Sequence, residues 1–528
     1  MSSNTRQQHV GHQENTGGTN LAELLGVLSL ATDLGMGQPM EHMLRQCLIA
    51  LRLSERMGLD ESARGVVYYT SLLAWVGCNV DAYEQAKWFG DEFVLKADAR
   101  LVDFTGPAPA MRYVVGHFAA GKPVLERARL ALAFLAGGHR DGEVMLENHW
   151  QAVDDLMLRL GLAQAVRDSV RQTFARWDGK GVPRGLGGED ILIPSRLVNL
   201  ADVVEMFHRT AGVDAALRVA AQRAGTQFDP AVVQAFSGEA AALFAELDGV
   251  NCWDAVMTAN PASDTRLTDD ELDNVLEAFA DFVDVKSPYT IGHSRGVADL
   301  AEDAARACGL IPSDVTVVRR AALVHDLGRL GVSNSIWDKQ AALSHSELER
   351  VRLHPYLTER MLASSTTLAP LARIAVQHHE RLDGSGYPRG LSGDSLSIAG
   401  RLLGAADVYH ASLEPRPHRG ARSQDDAATE LRTEVRAGRL DGDAVEAVLG
   451  AAGHRVSSRR DWPAGLTSRE VEVLRLLARG FSSKQIAERL VITRKTASYH
   501  IEHIYSKLGV TDRALASLFA AKHGLISG

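Results

Sequence analysis

Apolar residues recur at three- and four-residue spacing over Leu21-Ala31, His42-Met57 and Val66-Val76, and few stretches alternate with period two. That spacing lays one apolar stripe along an α-helix, so the predicted fold class is all-α. Polar residues mark where helices begin. Thr268 with Glu271, Ser344 with Glu347, Thr467 with Glu470, and Ser482 with Gln485 have the spacing of reciprocal N-terminal caps. The Ser344 box is read as opening the helix that carries His354. Leu466 and Val471 flank the Thr467 box as a hydrophobic staple, and Phe481 and Ile486 flank the Ser482 box. Gly480 stops the helix before it, and Thr493 caps a further helix running to about Leu508.

The pattern also repeats. Arg176-Trp177-Asp178-Gly179-Lys180-Gly181-Val182-Pro183-Arg184-Gly185-Leu186 matches Arg381-Leu382-Asp383-Gly384-Ser385-Gly386-Tyr387-Pro388-Arg389-Gly390-Leu391. The same shift places His149 on His354 and Asp202 on Asp407, and a longer shift places His42 on His293. The chain of 528 residues is too long for one core. The duplication divides it into a polar, disordered tail (1–20), a first helical repeat (21–250), a connector (251–275) and a second repeat (276–452). A linker (453–463) and a small C-terminal helical module (464–528) follow. The repeats differ where chemistry would sit. His325-Asp326 faces Ala74-Trp75, and His378-His379-Glu380 faces Thr173-Phe174-Ala175, so the first copy is a degenerate, structural or regulatory one. Its His42, His149 and Asp202 are read as leftovers satisfied by hydrogen bonds.

Composition narrows the setting. No apolar run reaches the roughly 18 residues needed to span a bilayer, and no signal-peptide core is present, so a cytoplasmic, membrane-free protein is expected. Four scattered cysteines form no CxxC pair, which argues for a reducing compartment and against a thiolate zinc site. Net charge is −9, yet from Ala464 onward ten Lys/Arg stand against five Asp/Glu, a basic module on an acidic body.

The second repeat supplies His293, His325, Asp326, His354, His378, His379 and Asp407, all at helices or helix ends. Five imidazoles and two carboxylates exceed what one four-coordinate zinc uses. They suit two divalent transition-metal ions sharing a carboxylate, and nitrogen and oxygen donors point to iron or manganese. Paired cations suit phosphodiester hydrolysis, and Arg329, read as lying on the helical face of His325, is placed to hold a phosphate.

These residues, with Lys286-Ser287-Pro288-Tyr289-Thr290-Ile291-Gly292-His293, His325-Asp326-Leu327-Gly328-Arg329 and Asp383-Gly384-Ser385-Gly386-Tyr387-Pro388, resemble the HD-GYP domain, a subgroup of HD phosphohydrolases. The resemblance implies that the seven residues above are metal ligands. It implies catalytic roles for His325, Asp326 and Arg329. Substrate contacts would come from Arg329, Asp383, Gly386, Tyr387, Pro388, Arg416 and Arg419. A cyclic dinucleotide such as cyclic di-GMP is the implied substrate. The chain departs from the family at Arg329 (usually Lys), at His410 (usually Asp) and at His418 within Arg416-Pro417-His418-Arg419. Tyr289 stands where some members carry a third-metal glutamate, which favours two ions.

The C-terminal module, with Gln485-Ile486-Ala487 and Lys507-Leu508-Gly509-Val510, resembles the four-helix LuxR-type helix-turn-helix domain. The resemblance makes Arg494 to Lys507 the recognition helix, with Lys495, Thr496, Ser498, Tyr499 and Glu502 toward DNA, and implies a homodimer. The sequence therefore describes a metal-dependent phosphodiesterase coupled to DNA binding. The alternative is a transcription factor that senses a nucleotide with little or no turnover.

Overall fold

The structure is a computed structural model that describes residues 18–104, 107–118, 125, 127, 129, 139–261, 266–455 and 462–526. Most of the expected tail, residues 262–265 of the expected connector and Arg459-Arg460 in the expected linker lie outside them. The described chain is helical apart from one two-stranded antiparallel pairing, Thr19–Asn20 with Arg266–Leu267. Residues 18–20 therefore belong to the fold, and Asn20 caps helix Leu21–Gly35 by accepting from Ala22 N.

The repeats are built from matching helices. His42–Arg56, Glu61–Leu73 and Ile193–Ala211 pack together in the first, and His293–Ala307, Pro312–Leu323 and Ile398–Leu413 in the second. An aspartate anchors the first helix of each set. Asp33 accepts from Met43 N, and Asp284 accepts from Ser294 N. The repeats do not have separate cores. One continuous apolar cluster runs from Leu21 to Leu449, with Leu25, Leu44, Leu200, Phe279, Ala301 and Leu403 fully buried in it.

Polar bonds stitch the repeats along the same seam. Glu92, at the start of helix Glu92–Ala99 in the first repeat, accepts from Ser333 Oγ at 2.6 Å and Asn334 N at 2.7 Å in the second. Lys286 Nζ, 3.9 Å from Glu92, donates to the carbonyls of Leu330 and Val332. Glu23 takes the hydroxyls of Ser365 and Thr366.

The C-terminal module has its own core around Val473, Leu474, Ile486, Ala497, Ile504 and Ala516, enclosed by helices Ser468–Ala478, Ser483–Leu490, Arg494–Leu508 and Arg513–Lys522. It docks on the second repeat through charge pairs. Arg479 meets Asp394 at 2.9 Å, and Arg401, which binds Asp441, lies 3.9 Å from Glu472.

The reciprocal caps at Thr268, Ser344, Thr467 and Ser482 all form. Two helix readings need correction. The Ser344 box opens His345–Arg352, but that helix breaks at Leu353, and His354 begins a separate helix, His354–Leu362. Pro312–Leu323 ends before His325, and Arg329 lies in a 3₁₀ turn, Leu327–Gly331, so His325 and Arg329 share no α-helical face. Gly328 explains the tightness of this turn: a Cβ there would collide with the His354 carbonyl.

Candidate metal centre

Helix ends position the donors. The last carbonyls of an α-helix lack partners within the helix. Here they take imidazole N–H groups: His325 Nδ1 donates to Ala322 O at 2.7 Å, His354 Nδ1 to Val351 O at 2.6 Å and His378 Nδ1 to Ala375 O at 2.6 Å. Each bond fixes the tautomer and leaves an Nε2 lone pair aimed inward. His293 reaches the same point from the start of its helix, where Gly292 takes a left-handed turn at φ +80°. Its Nδ1 donates to Glu414 at 3.1 Å.

The lone pairs converge on two carboxylates. Asp326 Oδ2 lies 3.8 Å from His293 Nε2 and 3.6 Å from His325 Nε2. Asp326 Oδ1 lies 3.4 Å from His354 Nε2 and 3.6 Å from His378 Nε2. The carboxylate thus faces one imidazole pair with each oxygen. Asp407 adds Oδ1 to the first group, 3.3 Å from His293 Nε2, and turns Oδ2 toward His379 Nδ1 at 3.7 Å. The structure therefore brings together all seven residues that the sequence singles out as ligands.

The donors fit cations. His325 Nε2 is fully buried and has no hydrogen-bond partner among the described residues. His354 and His378 point Nε2 lone pairs at each other across 3.1 Å, an arrangement that repels unless a positive charge lies nearby. Burial drives the His378 imidazole down to about 3 and His379 well below its ordinary range, with neighbouring imidazoles adding to the shift. Burial alone would raise the Asp326 and Asp407 carboxyls, but the surrounding imidazoles, and Arg329 at Asp326, hold both well below theirs. Neutral imidazoles beside ionised carboxylates are the ligand-competent forms. Burial opposes protonation of His293 as well, but its bonds to Asp407 and Glu414 lift it to about 10, so it would have to give up a proton to serve as a ligand.

The centre opens into a cavity of about 740 Å³. Arg329 lines it with its guanidinium 4.0 Å over the Trp337 ring and one nitrogen 3.1 Å from Asp326 Oδ2. Tyr387 tilts against His379 at 4.7 Å. Arg416 faces the cavity and pairs with Glu414 at 2.7 Å. The other predicted substrate contacts are placed differently. Asp383 turns back on its own loop to accept from Ser385 N and Oγ, and neither it nor Gly386 nor Pro388 lines the cavity. Gly386 is where the loop crosses the backbone of Glu380 and Arg381 with no room for a Cβ. Arg419 reaches the cavity wall, but its guanidinium is engaged by the carbonyls of Ala411, Ser412, Glu414 and Gly420. Of the predicted substrate contacts, Arg329, Tyr387, Arg416 and Arg419 line the cavity, Arg329 paired with Asp326 and Arg416 with Glu414. Sequence reasoning missed Glu414, which accepts from His293 and Arg416 and lies 3.1 Å from His410 Nδ1. Its position four residues after His410, immediately past the end of the Asp407 helix, was the available signal. It also missed Glu380, which clamps the turn by accepting from Arg389 N and Leu391 N.

The first repeat replaces metal charge with protein charge. Asp202 accepts from His42 Nε2 at 2.9 Å and from Arg100 Nε at 2.9 Å, and His42 Nδ1 bonds Glu205. His149 bonds Asp81 at 2.8 Å. The three leftover polar groups are thus satisfied internally.

On helix Arg494–Leu508, Lys495, Tyr499 and Glu502 are exposed and Ser498 is half-buried. Thr496 is not a surface residue: it is buried, and both its N–H and its hydroxyl bond Thr493, so it belongs to the cap. Exposed Arg494 and His503 were missed. His503 lies one turn beyond Tyr499, with ring centroids 4.1 Å apart.

Residues 277–444 match the HD domain family, and residues 464–520 match the luxR family of bacterial regulatory proteins. The chain is 32% identical over 411 residues to 3'3'-cGAMP-specific phosphodiesterase 3 of Vibrio cholerae serotype O1, covering 77% of this chain and 89% of the relative. It is 35% identical over 144 residues to the cyclic di-GMP phosphodiesterase response regulator RpfG of Xanthomonas campestris, covering 27% of this chain and 38% of the relative. A crystal structure of a cyclic GMP-AMP-specific phosphodiesterase of V. cholerae superposes with a TM-score of 0.58 at 27% identity, over 83% of this chain and 99% of the other. The chain belongs to the HD-GYP family of HD-domain phosphohydrolases and carries, in addition, a LuxR-type helix-turn-helix domain.

Proposed function

We propose that the second repeat hydrolyses a cyclic dinucleotide and that the same chain binds DNA through its LuxR-type domain. The observation that carries this reading is Asp326, whose two oxygens face two separate imidazole pairs. That is the layout of a carboxylate bridging two divalent transition-metal ions, iron or manganese by donor type. His293, His325 and Asp407 would hold one, and His354, His378 and His379 the other. Such ions supply Lewis-acid charge and acidify a water near neutral pH. Arg416 and Arg329 converge on the cavity and would orient phosphate oxygens by charge-assisted bonds, while Tyr387 walls one side. A cavity of about 740 Å³ has room for a two-base ligand. Hydrolysis consumes one water and opens one phosphodiester to a phosphomonoester and a free hydroxyl. A complete donor set favours turnover over sensing alone.

The relative that spans 77% of the chain is named for 3'3'-cGAMP, and the shorter matches are named for 3'3'-cGAMP or for cyclic di-GMP, so both are to be tried. Among the described residues no helix is long and apolar enough to cross a membrane. We place the protein in the cytoplasm as a homodimer, since two recognition helices reading paired half-sites raise affinity without new contacts. The test incubates purified chain, loaded with iron(II) or manganese(II), with each cyclic dinucleotide. Linear product should appear, and H325A should abolish it. Metal-dependent product from neither substrate, or undiminished product from H325A, refutes the reading.

A further inference from the structure

We propose that the first repeat is a receptor for a mononucleotide, binding one heteroaromatic base and one phosphate in the cavity where its ancestral metal centre stood. This cavity measures about 390 Å³, roughly half that of the second repeat, which is room for one nucleotide rather than two. Its wall carries four cationic side chains, Lys96, Arg100, Arg176 and Arg223, against two carboxylates, Asp81 and Asp202. Both carboxylates are already engaged, Asp202 by His42 and Arg100 and Asp81 by His149.

Arg223 is the decisive residue. It is 4% exposed, and its guanidinium donates to the carbonyls of Arg100 and Leu101 and to Gln227 Oε1. Among the described residues no carboxylate lies within ion-pair distance of it; the Asp103 carboxylate is near enough to favour its charge, and Arg176, itself paired with Asp103 and Asp178, is near enough to oppose it. A buried guanidinium with no direct ion pair is costly, and Arg223 facing the cavity is a site for an anion such as phosphate.

The rest of the wall suits a base. Trp75 and Phe174 meet edge to face at 5.3 Å, and Arg100 lies 4.9 Å over the Trp75 ring. This gives a stacking surface with a cation behind it. Gln85 also lines the cavity, and its Oε1 is buried with no hydrogen-bond partner among the described residues, an acceptor free to take a base N–H. The inference stands on the first repeat alone and does not depend on what the second repeat hydrolyses.

The experiment uses the full-length chain carrying D326A, so that the second-repeat centre is disabled. Calorimetric titration with GMP and AMP, and with guanosine and inorganic phosphate separately, is read beside hydrogen exchange. One mononucleotide should bind per chain, with the nucleoside and phosphate each at least about tenfold weaker, and amides of Glu92–Ala99 should gain protection. R223Q, which keeps a polar side chain, and A99F, which fills the cavity from a helix position, should each weaken binding by about tenfold or more, and R223K should recover part of the R223Q loss. The proposal is overturned if no mononucleotide binds, if phosphate binds as tightly as the nucleotide, if A99F binds like the parent chain, or if protection appears only in the second repeat.

Discussion

Glu414 is the residue whose removal tests the metal centre most directly. It coordinates nothing itself in the proposed arrangement. It accepts from His293 Nδ1 at 3.1 Å, pairs with Arg416 at 2.7 Å and lies 3.1 Å from His410 Nδ1. Burial alone would raise its carboxyl, yet the bonds from His293 and His410 hold it down near 2, so it is ionised at any working pH. An ionised acceptor on Nδ1 pins the His293 ring and makes Nε2 a better donor. A hydrogen bond to a charged group contributes about 1.5–3 kcal/mol, and loss of such an outer partner weakens metal binding by roughly 10- to 100-fold. E414Q keeps one acceptor oxygen but no charge, so about tenfold weaker manganese binding is expected, and E414A should approach 100-fold. The assay is calorimetric titration of metal-stripped protein with manganese(II), with hydrolysis measured across the same series. Saturating metal should restore E414Q to within about threefold of the parent rate, because the variant keeps every direct ligand. Unchanged metal affinity in both variants would show that Glu414 is only a loop anchor. A rate that metal cannot restore would place it at the substrate instead.

Three other outcomes are expected. In the first repeat, burial opposes protonation of His42, but Asp202 and Glu205 lift it to about 9 from 6.5, so the stability it contributes is full below pH 6.5 and is lost as pH rises through 9. The span corresponds to on the order of 3 kcal/mol, Asp33 beside it shifts in the same direction, and H42Q should reduce the fall in denaturation midpoint between pH 6.5 and 9. On the DNA side, K495A should lower the slope of log affinity against log salt by about one, whereas T496V should leave the slope alone and lower the melting temperature, because Thr496 serves a cap. At the module interface, R479E should cost no more than about 1 kcal/mol, as suits a partly exposed pair, yet raise hydrogen exchange in Ser468–Ala478. The R479D/D394R exchange should restore protection, and a double variant as open as R479E would refute the contact.

What the sequence revealed and what it hid have physical causes. Ligand identity was legible because seven histidines and aspartates, each dispensable to a helix, gather in one repeat, while the other keeps only His42, His149 and Asp202 and loses the counterparts of His325, Asp326, His378 and His379. Reciprocal caps were legible because both partners lie within four residues. The helix breaks at Val324 and Leu353 were not, since neither is a Gly or Pro and the chain leaves the helix there to bring His325 and His354 to their carbonyls. Asp383 and Arg419 were assigned by chemical type, but a carboxylate or guanidinium can satisfy itself on its own loop, and only the folded backbone shows that it does. The same holds for Arg100. Nothing in its local sequence marks it as the group that meets Asp202.

Arg100 and the second-repeat centre are two answers to one problem. Each repeat buries an aspartate at the same place, Asp202 or Asp407, and a buried carboxylate needs positive charge beside it. The first repeat supplies that charge covalently, from Arg100 and a protonated His42, and its Trp75, Thr173 and Phe174 line the cavity where the second has ligands. Replacing Arg100 alone would therefore unbalance Asp202 without making a metal site. Arg100 ends the helix that Glu92 begins, and Glu92 is bonded to Ser333 and Asn334, two and three residues past the turn that carries Arg329. One helix thus has one end at the first-repeat cavity and the other on the loop that follows the Arg329 turn, within a single continuous core. A close-packed interior transmits a shift rather than absorbing it. The first repeat cannot be a passive remnant, because the loop beside the second centre is held in part by its residues.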